Sequence, residues 1–318
     1  DLPMPATLGH VNCYLVRGPS GVVLVDTGMD DASSRGELTR QLDEHGLAFG
    51  DLDTVVCTHH HQDHCGVGAT LIEAGARLSM SAKDADSLLI FQDHPEVDAR
   101  RATFYGNHPV PEEFEQRVTA VFPFFRNLGQ RFEPTDLLLD GQQVDLGGVR
   151  FEVLITPGHT RGHVCLLQRD EGVLLTGDHV IAGDATHVSM REEVLGTDPL
   201  GRFVESLGRV RDLGPLRGFP GHGKPIADLS ERADQLVRHH RARIEQVARA
   251  LTDEPQSAFD LSGDVLWRRP KIFMRWLAMS QTLAYLEHLV HTGRAESIAI
   301  EGGVGYRKTS RSNSAHPS

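Results

Sequence analysis

The sequence predicts an α/β domain followed by a smaller, mostly helical one, and three observations carry that expectation. Through residue 227, short apolar or β-branched runs alternate with amphipathic segments of helical period. Five of the short runs end in a polar loop bearing Asp or His: Asp26-Thr27-Gly28, Thr58-His59-His60-His61-Gln62-Asp63-His64, Thr156-Pro157-Gly158-His159-Thr160-Arg161-Gly162-His163, Gly177-Asp178-His179 and Pro220-Gly221-His222-Gly223. From Asp228 onward the pattern changes to long amphipathic helices.

In chain order, Val11–Val16 and Val22–Val25 read as strands around the turn Pro19-Ser20-Gly21. A helix over 31–45 follows, with Asp30, Asp31 or Ser33 as its cap and Gly46 as its stop. Leu52–Cys57 is a strand entering the His-rich loop, Gly66–Ala76 a helix leaving it, and Arg77–Met80 a short strand. Residues 83–133 differ. They are helix-rich, broken by Pro95, Pro109, Pro111 and Pro123, and hold Phe91, Phe104, Tyr105, Phe114, Phe122, Phe124 and Phe125. Such an insertion either packs a small core of its own or folds as a lid with an apolar inner face; the lid is the favoured reading.

Strands resume at 136–140, 143–146 and 150–155, with turns at Asp140-Gly141 and Gly147-Gly148. Val164–Gln168 and Val173–Thr176 form a hairpin, and a helix over 198–212 leads to the strand Leu216–Phe219. Helices over 229–251, 257–265 and 271–291 then precede two short strands around Gly302-Gly303, the order of a winged-helix module. The expected domains are 1–227, with the insertion at about 83–133, and 228–308, followed by a polar, disordered tail over 309–318.

Composition narrows the partners. No run approaches the ~18 apolar residues of a membrane span, and the first residues lack a basic-then-apolar signal pattern. Cys13, Cys57, Cys65 and Cys165 are scattered without metal-knuckle spacing, which reads as reduced thiols in a cytoplasmic protein. The net charge is −12; residues 228–318 hold thirteen Lys/Arg against eleven Asp/Glu, which leaves −14 for residues 1–227. An acidic front part makes a nucleic-acid partner an unfavoured expectation, because phosphate contacts need clustered Lys/Arg.

The His-rich loop concentrates the chemistry. His59, His61 and Asp63 alternate and His64 follows at once, a crowding of imidazole and carboxylate that is costly to bury unless a cation sits among them. His60 falls out of the alternation and is expected to face away. Cys65 reads as a small buried filler. Asp26 and Thr58 are candidates to hold the outer nitrogens of ligand imidazoles, and His163 to orient its neighbours.

With all five loops taken together and in this order, the chain resembles the metallo-β-lactamase superfamily of dinuclear metallohydrolases across residues 8–227. The resemblance implies an αββα sandwich with a helical insertion and a C-terminal winged-helix-like domain. It makes His59, His61 and His159 ligands of one metal, Asp63, His64 and His222 ligands of the other, and Asp178 the bridge between them, with a hydroxide shared by the pair. The tail resembles a branch that includes endoribonuclease-like proteins and bacterial hydrolases. Two zinc ions are the expected cofactors, since a set rich in imidazole and without thiolate suits zinc; iron and manganese use similar ligands.

The expected reaction is attack of the bridging hydroxide on an activated acyl carbon of a small molecule (a thioester, lactone or ester), with Asp63 and Asp178 as catalytic carboxylates. The alternative is a phosphodiesterase or endoribonuclease built on the same site. Tyr105, His108 and His187 are candidate substrate contacts. A homodimer is the expected assembly, with the C-terminal module serving association rather than DNA reading.

Overall fold

The computed structural model of the chain describes residues 1–4, 9–120, 129–183, 185–190, 196–265 and 272–309, the side chains of 94–96, 98, 101–102, 105, 264–265 and 272–273 excepted. The expected tail over 309–318 therefore lies, beyond Thr309, outside the described residues.

The chain divides into two compact units: Asp1–Val97, Val121–Val188 and Gly201–Arg238 form one, and Asp98–Ala120, Ser189–Leu200 and His239–Ser318 the other. The stretch read as an insertion is thus shared, Asp98–Ala120 grouping with the C-terminal residues.

The first unit opens with a two-stranded ladder, β1 (Leu2–Pro3) on β2 (His10–Val11). One five-stranded sheet follows, from β3 (Tyr14–Gly18), β4 (Gly21–Val25), β5 (Thr54–Val56), β6 (Arg77–Ser81) and β7 (Asp136–Leu138), in that spatial order. Only β3 is antiparallel to its neighbour. A second sheet has β8 (Gln143–Leu146), β9 (Val149–Ile155), β10 (Val164–Gln168), β11 (Val173–Gly177) and β12 (Arg217–Pro220), with β11 and β12 parallel.

The sheets stack face to face. Val23, Val25, Val56 and Leu138 of the first share a buried cluster with Phe151, Val153, Val164, Leu166 and Leu175 of the second. The outer face of the first sheet carries Leu24, Val55, Leu78 and Met80, covered by Leu38, Leu42, Leu71, Ala85 and Leu88 from helices α1 (Ala32–Glu44), α3 (Gly68–Glu73) and α4 (Ala82–Gln92). Strands buried on both faces need continuous apolar runs, which is why Val22-Val23-Leu24-Val25 shows no alternation. A helix over Pro199–Arg211 lies along the end of β9: Ser206 Oγ donates to Pro157 O at 3.0 Å, and the backbone of Phe203 comes so close to Gly158 that a Cβ there would lie 2.5 Å from the Phe203 Cα. Gly158 also has φ 139°, so only glycine suits the site.

Local differences from the sequence expectations have definite causes. The strand expected over 11–16 breaks at Asn12, whose backbone N–H leaves the ladder to donate to Gly221 O at 2.7 Å. The helix expected from Gly66 begins earlier, as α2 (Gln62–Cys65), because His61 O accepts from His64 N and Cys65 N at 2.9 and 3.0 Å. Asp63 and His64 therefore sit on a helical turn rather than in a loop. The helix over 31–45 is capped by Asp31, whose Oδ1 accepts from Ser33 N and Ser34 N, as its position predicts.

The second unit packs Phe114 on Phe259, ring centroids 4.9 Å apart, and buries Ala278, Met279, Leu283, Ala284, Leu286 and Leu289 of the helix Ile272–His291. Two further helices, Leu229–Ala250 (from His239 onward in this unit) and Ala258–Val265, precede it. β13 (Ala295–Ile300) and β14 (Gly303–Lys308) close the unit as a hairpin. Tyr306 is fully buried, its hydroxyl donating to Glu287 Oε1 at 2.5 Å, and its backbone forms an isolated bridge with Gln256. No helix among the described residues is long and apolar enough to cross a membrane.

His240 is fully buried with Nδ1 2.9 Å from the Tyr285 hydroxyl, and burial pushes its imidazole down to about 3. A folded-state value below the unfolded ~6.5 means that the unfolded chain binds the extra proton, so this contribution to stability is intact above ~6.5 and lost as pH falls from there towards ~3. We expect His240→Leu to make the acid-side fall of the unfolding free energy shallower by up to about 1.4 kcal/mol per pH unit. Urea titrations at pH 7 and 5 check this; an unchanged difference would remove His240 from the account.

Candidate metal centre

The five loops meet. Each leaves the end of a strand: Asp26 after β4, the His-rich loop after β5, His159 after β9, Asp178 after β11 and His222 after β12. Three overlapping groups of donor atoms result, His59/His61/His159, His59/His64/Asp178 and Asp63/His64/His222, the atoms of each lying within 4.8 Å of one another. All seven side chains expected as ligands belong to these groups.

Within them, His61 Nδ1 is 3.0 Å from His59 Nε2 and 3.1 Å from His159 Nε2. His222 Nε2 is 3.2 Å from Asp63 Oδ2 and 3.4 Å from His64 Nε2. Asp178 lies between: Oδ2 is 3.4 Å from His222 Nε2 and 3.6 Å from His159 Nε2, and Oδ1 is 3.4 Å from His64 Nε2.

The outer ring nitrogens fix which way the rings face. His64 Nδ1 meets Asp26 Oδ2 at 2.8 Å, His159 Nδ1 meets His187 O at 2.8 Å, and His222 Nδ1 meets His10 O at 2.7 Å. These acceptors require N–H on Nδ1. Thr58 Oγ1 donates to Asp26 Oδ2 at 2.9 Å and so accepts from His59 Nδ1 at 3.1 Å. Four Nε2 atoms thus point inward, and a metal-ligating imidazole needs this kind of outer partner.

Asp26 is the hub, buried, with Oδ1 accepting from Thr58 N at 2.7 Å and its backbone at φ 61°. Asp is among the few residues that tolerate that left-handed conformation. Gly221 is required for a different reason: a Cβ there would lie 2.5 Å from Asp178 Oδ1 and 2.6 Å from His64 Cε1.

The electrostatics call for positive charge in the centre. Burial pushes the Asp63 and Asp178 carboxyls up, but the neighbouring His64 and His222 outweigh it and hold both below the usual carboxylate range. Conversely, burial lowers His222 and the two carboxylates raise it, to about 10, so that protons stand where cations would. His59, pushed far down by burial and by His64, His61 and His159, stays neutral and keeps its lone pair. Among the described residues none donates a hydrogen bond to Asp178 Oδ1, although it is shielded from solvent. Imidazole lone pairs, two carboxylates and an unmet acceptor oxygen fit a divalent metal.

Other expected residues fall around this centre. His163 is outside the three groups: its Nδ1 is 2.9 Å from Thr156 Oγ1, and its Nε2 accepts from Asp178 N at 3.0 Å, orienting that backbone. His60 turns away, Nδ1 3.3 Å from Asp84 Oδ2. Cys65 is in none of the groups; its Sγ reaches His60 O at 3.2 Å. His187 contributes its backbone oxygen, and its ring is not among the grouped donors. His108 is buried in the second unit against Phe104, where desolvation lowers it to about 4. The Tyr105 side chain lies outside the described residues.

Sequence reasoning missed Asp84, Asn12, Tyr14 and Thr156. Asp84 is fully buried and accepts from Gly162 N and Thr160 Oγ1 at 2.7 Å and from His60 N at 3.1 Å. Its one signal was Ser81 three residues earlier, a pattern that reads as a helix start; Ser81 Oγ does accept from Asp84 N at 3.3 Å.

The profile of the Metallo-beta-lactamase superfamily matches residues 6–222. The chain belongs to that superfamily. As a superfamily member it is similar to "Probable metallo-hydrolase YqjP" of Bacillus subtilis, 27% identical over 97% of this chain and 96% of that protein. A metallo-beta-lactamase family protein of Thermus thermophilus matches in structure with TM-score 0.83 and 34% identity, covering 96% of both chains. A beta-lactamase domain protein of Burkholderia ambifaria matches with TM-score 0.84 and 28% identity, over 96% of this chain and 89% of that one. The protein is a metal-dependent hydrolase with a metallo-β-lactamase fold.

Because Asp26 holds His64 directly and His59 through Thr58, Asp26→Asn is expected to lower metal affinity of the whole centre about 10–100-fold. Zinc titration of the metal-free protein against a chromophoric chelator measures this, and unaltered affinity would show the hub to be dispensable.

Proposed function

We propose that the chain is a dinuclear-metal hydrolase that cleaves an activated acyl bond (a thioester, lactone or ester) in a small molecule. The single observation that carries this is the set of seven donors in three overlapping groups. His59, His61 and His159 would hold one cation, Asp63, His64 and His222 the other, and Asp178, placed between, would touch both; zinc is the favoured metal, with iron and manganese as alternatives. Such a pair supplies hydroxide at neutral pH, the pKa of bound water falling from 15.7 to about 7, and polarises an acyl carbonyl.

The chain's own residues do the rest. Asp63 and Asp178 are the catalytic carboxylates. Asp178 keeps its backbone fixed by His163, and Asp63, beside the partly exposed His222, would accept a proton from the attacking water. No Ser or Cys nucleophile is needed. Thioester cleavage gains support from one relative, "Atrochrysone carboxyl ACP thioesterase" of Aspergillus fumigatus, 25% identical over 82% of this chain and 67% of that protein. The acidic balance, −12 overall, weighs against the phosphodiesterase or endoribonuclease alternative and against nucleic acid as a partner.

The same reading takes residues 228–308 as a winged-helix-like module, supported by three helices, the bridge of Gln256 to Tyr306 and the terminal hairpin. It assigns that module to homodimer assembly. The free thiols of Cys13, Cys57, Cys65 and Cys165 support a cytoplasmic location.

Purified protein is expected to turn over acyl thioesters, lactones or p-nitrophenyl esters with about two zinc equivalents bound; turnover confined to bis-p-nitrophenyl phosphate or RNA would overturn the acyl reading. His61→Ala should lose one metal equivalent and about 100-fold in kcat/KM while remaining folded. Metal content and steady-state kinetics report the two effects separately.

A further inference from the structure

Beside the Asp26 hub that both ends share, each end of the centre has tethers of its own from a different part of the chain. At one end, the buried Asp84 carboxylate joins the loop of His59 and His61 to the loop of His159. Oδ2 accepts from His60 N, between the two histidines, and from Thr160 Oγ1, next to His159; Oδ1 accepts from Gly162 N. Ser81 Oγ adds a bond to Gly162 O at 2.5 Å. Among the described residues, no atom of this cluster bonds to the Pro220–Gly223 loop.

At the other end, His222 sits beyond β12, an edge strand paired with β11 on one side and bridged at Gly218 to Ile226 on the other. That bridge closes the base of the loop, Gly221 N donates to Gly177 O at 2.7 Å, and the tip around His222 is held further by residues 10–14. Asn12 Nδ2 donates to Pro220 O at 2.9 Å and to Gly223 O at 2.8 Å, and its N–H donates to Gly221 O. Tyr14 donates its hydroxyl to Pro220 O at 2.6 Å, and His10 O takes the outer nitrogen of His222. These contacts bridge more than two hundred residues of chain, |i−j| being 208 for Asn12 to Pro220. The His222 side chain is 25% exposed, against full burial of His59, so its position depends on such tethers more than on packing.

We infer that Asp84 and Asn12 are positioning residues for separate halves of the metal centre: Asp84 sets the His59/His61/His159 end, Asn12 the His222 end, and each half can lose its cation without the other. The inference rests on the dinuclear reading above. It follows from mechanics: a ligand whose loop has lost its tether must be ordered on binding, and that cost falls on the cation it serves.

The test is zinc binding to metal-free full-length protein, by competition with a chromophoric chelator that resolves two affinities, with metal content after dialysis as a second readout. Asn12→Ala is expected to weaken one zinc equivalent about 10–100-fold and leave the other unchanged; Asp84→Asn is expected to weaken the other one by a similar factor. Combining Asn12→Ala with His222→Ala should add no further loss at that equivalent, which identifies the half affected. Tyr14→Phe and Thr160→Val remove one bond from each tether and serve if either stronger variant fails to fold. A purely structural role would lower the melting temperature of the metal-free protein and weaken both equivalents alike; that result, or two unaltered affinities, overturns the inference while the dinuclear reading stands. Wild-type protein that takes up fewer than two equivalents overturns the dinuclear reading, and the inference with it.

Discussion

Imidazole lone pairs held three ångströms apart repel one another, and buried carboxylates repel one another too, unless positive charge lies between them. The centre packs His61 Nδ1 3.0 Å from His59 Nε2 and brings Asp63 and Asp178 to the same His222 nitrogen. Everything around it resists the spreading that repulsion would cause. Outer nitrogens are tied to Asp26, Thr58 and backbone oxygens, so the rings cannot turn their lone pairs outward. A site so constrained is pre-organised for a cation, because the ordering has been met in folding rather than at binding.

The fold makes that constraint bearable. Two sheets share an apolar interior from Val25 to Phe151, and this rigid support fixes the strand ends from which the loops depart. The loops themselves are short and locked by features that packing alone does not supply. Asp26 holds a left-handed backbone, and Gly221 lets the His222 loop come against Asp178 and His64. Asp84 and Asn12 act at longer range, joining loops that belong to different sheets or distant parts of the chain. Strain and polar burial thus collect where the chemistry is, while the core beneath remains plainly apolar.

Much of this was legible in the sequence because it depends on local chemistry. Val22–Val25 and Val164–Gln168 read as strands and are strands, and Asp31, one of three cap candidates, does cap its helix. The alternation of His59, His61 and Asp63 signalled one shared focus. What escaped were residues whose role is to bond backbone atoms elsewhere. Asn12 fell inside an expected strand, and Asp84 inside the helix-rich stretch that begins at 83. No composition or period distinguishes a carboxylate that accepts Gly162 N from one that faces water. The early start of the helix at Gln62 was hidden for a similar reason, since it depends on His61 O rather than on any cap side chain.

By itself, then, the sequence determined the α/β layering, the loops that bear donors and the kinds of atom those loops offer, since periodicity and side-chain chemistry are local properties. Tertiary structure alone decided which donors share a focus, which nitrogen of each ring points inward, and which distant residues hold the loops still. Those are matters of distance and orientation between groups as far apart in the chain as His10 and His222, and such separations close only when the two sheets have stacked.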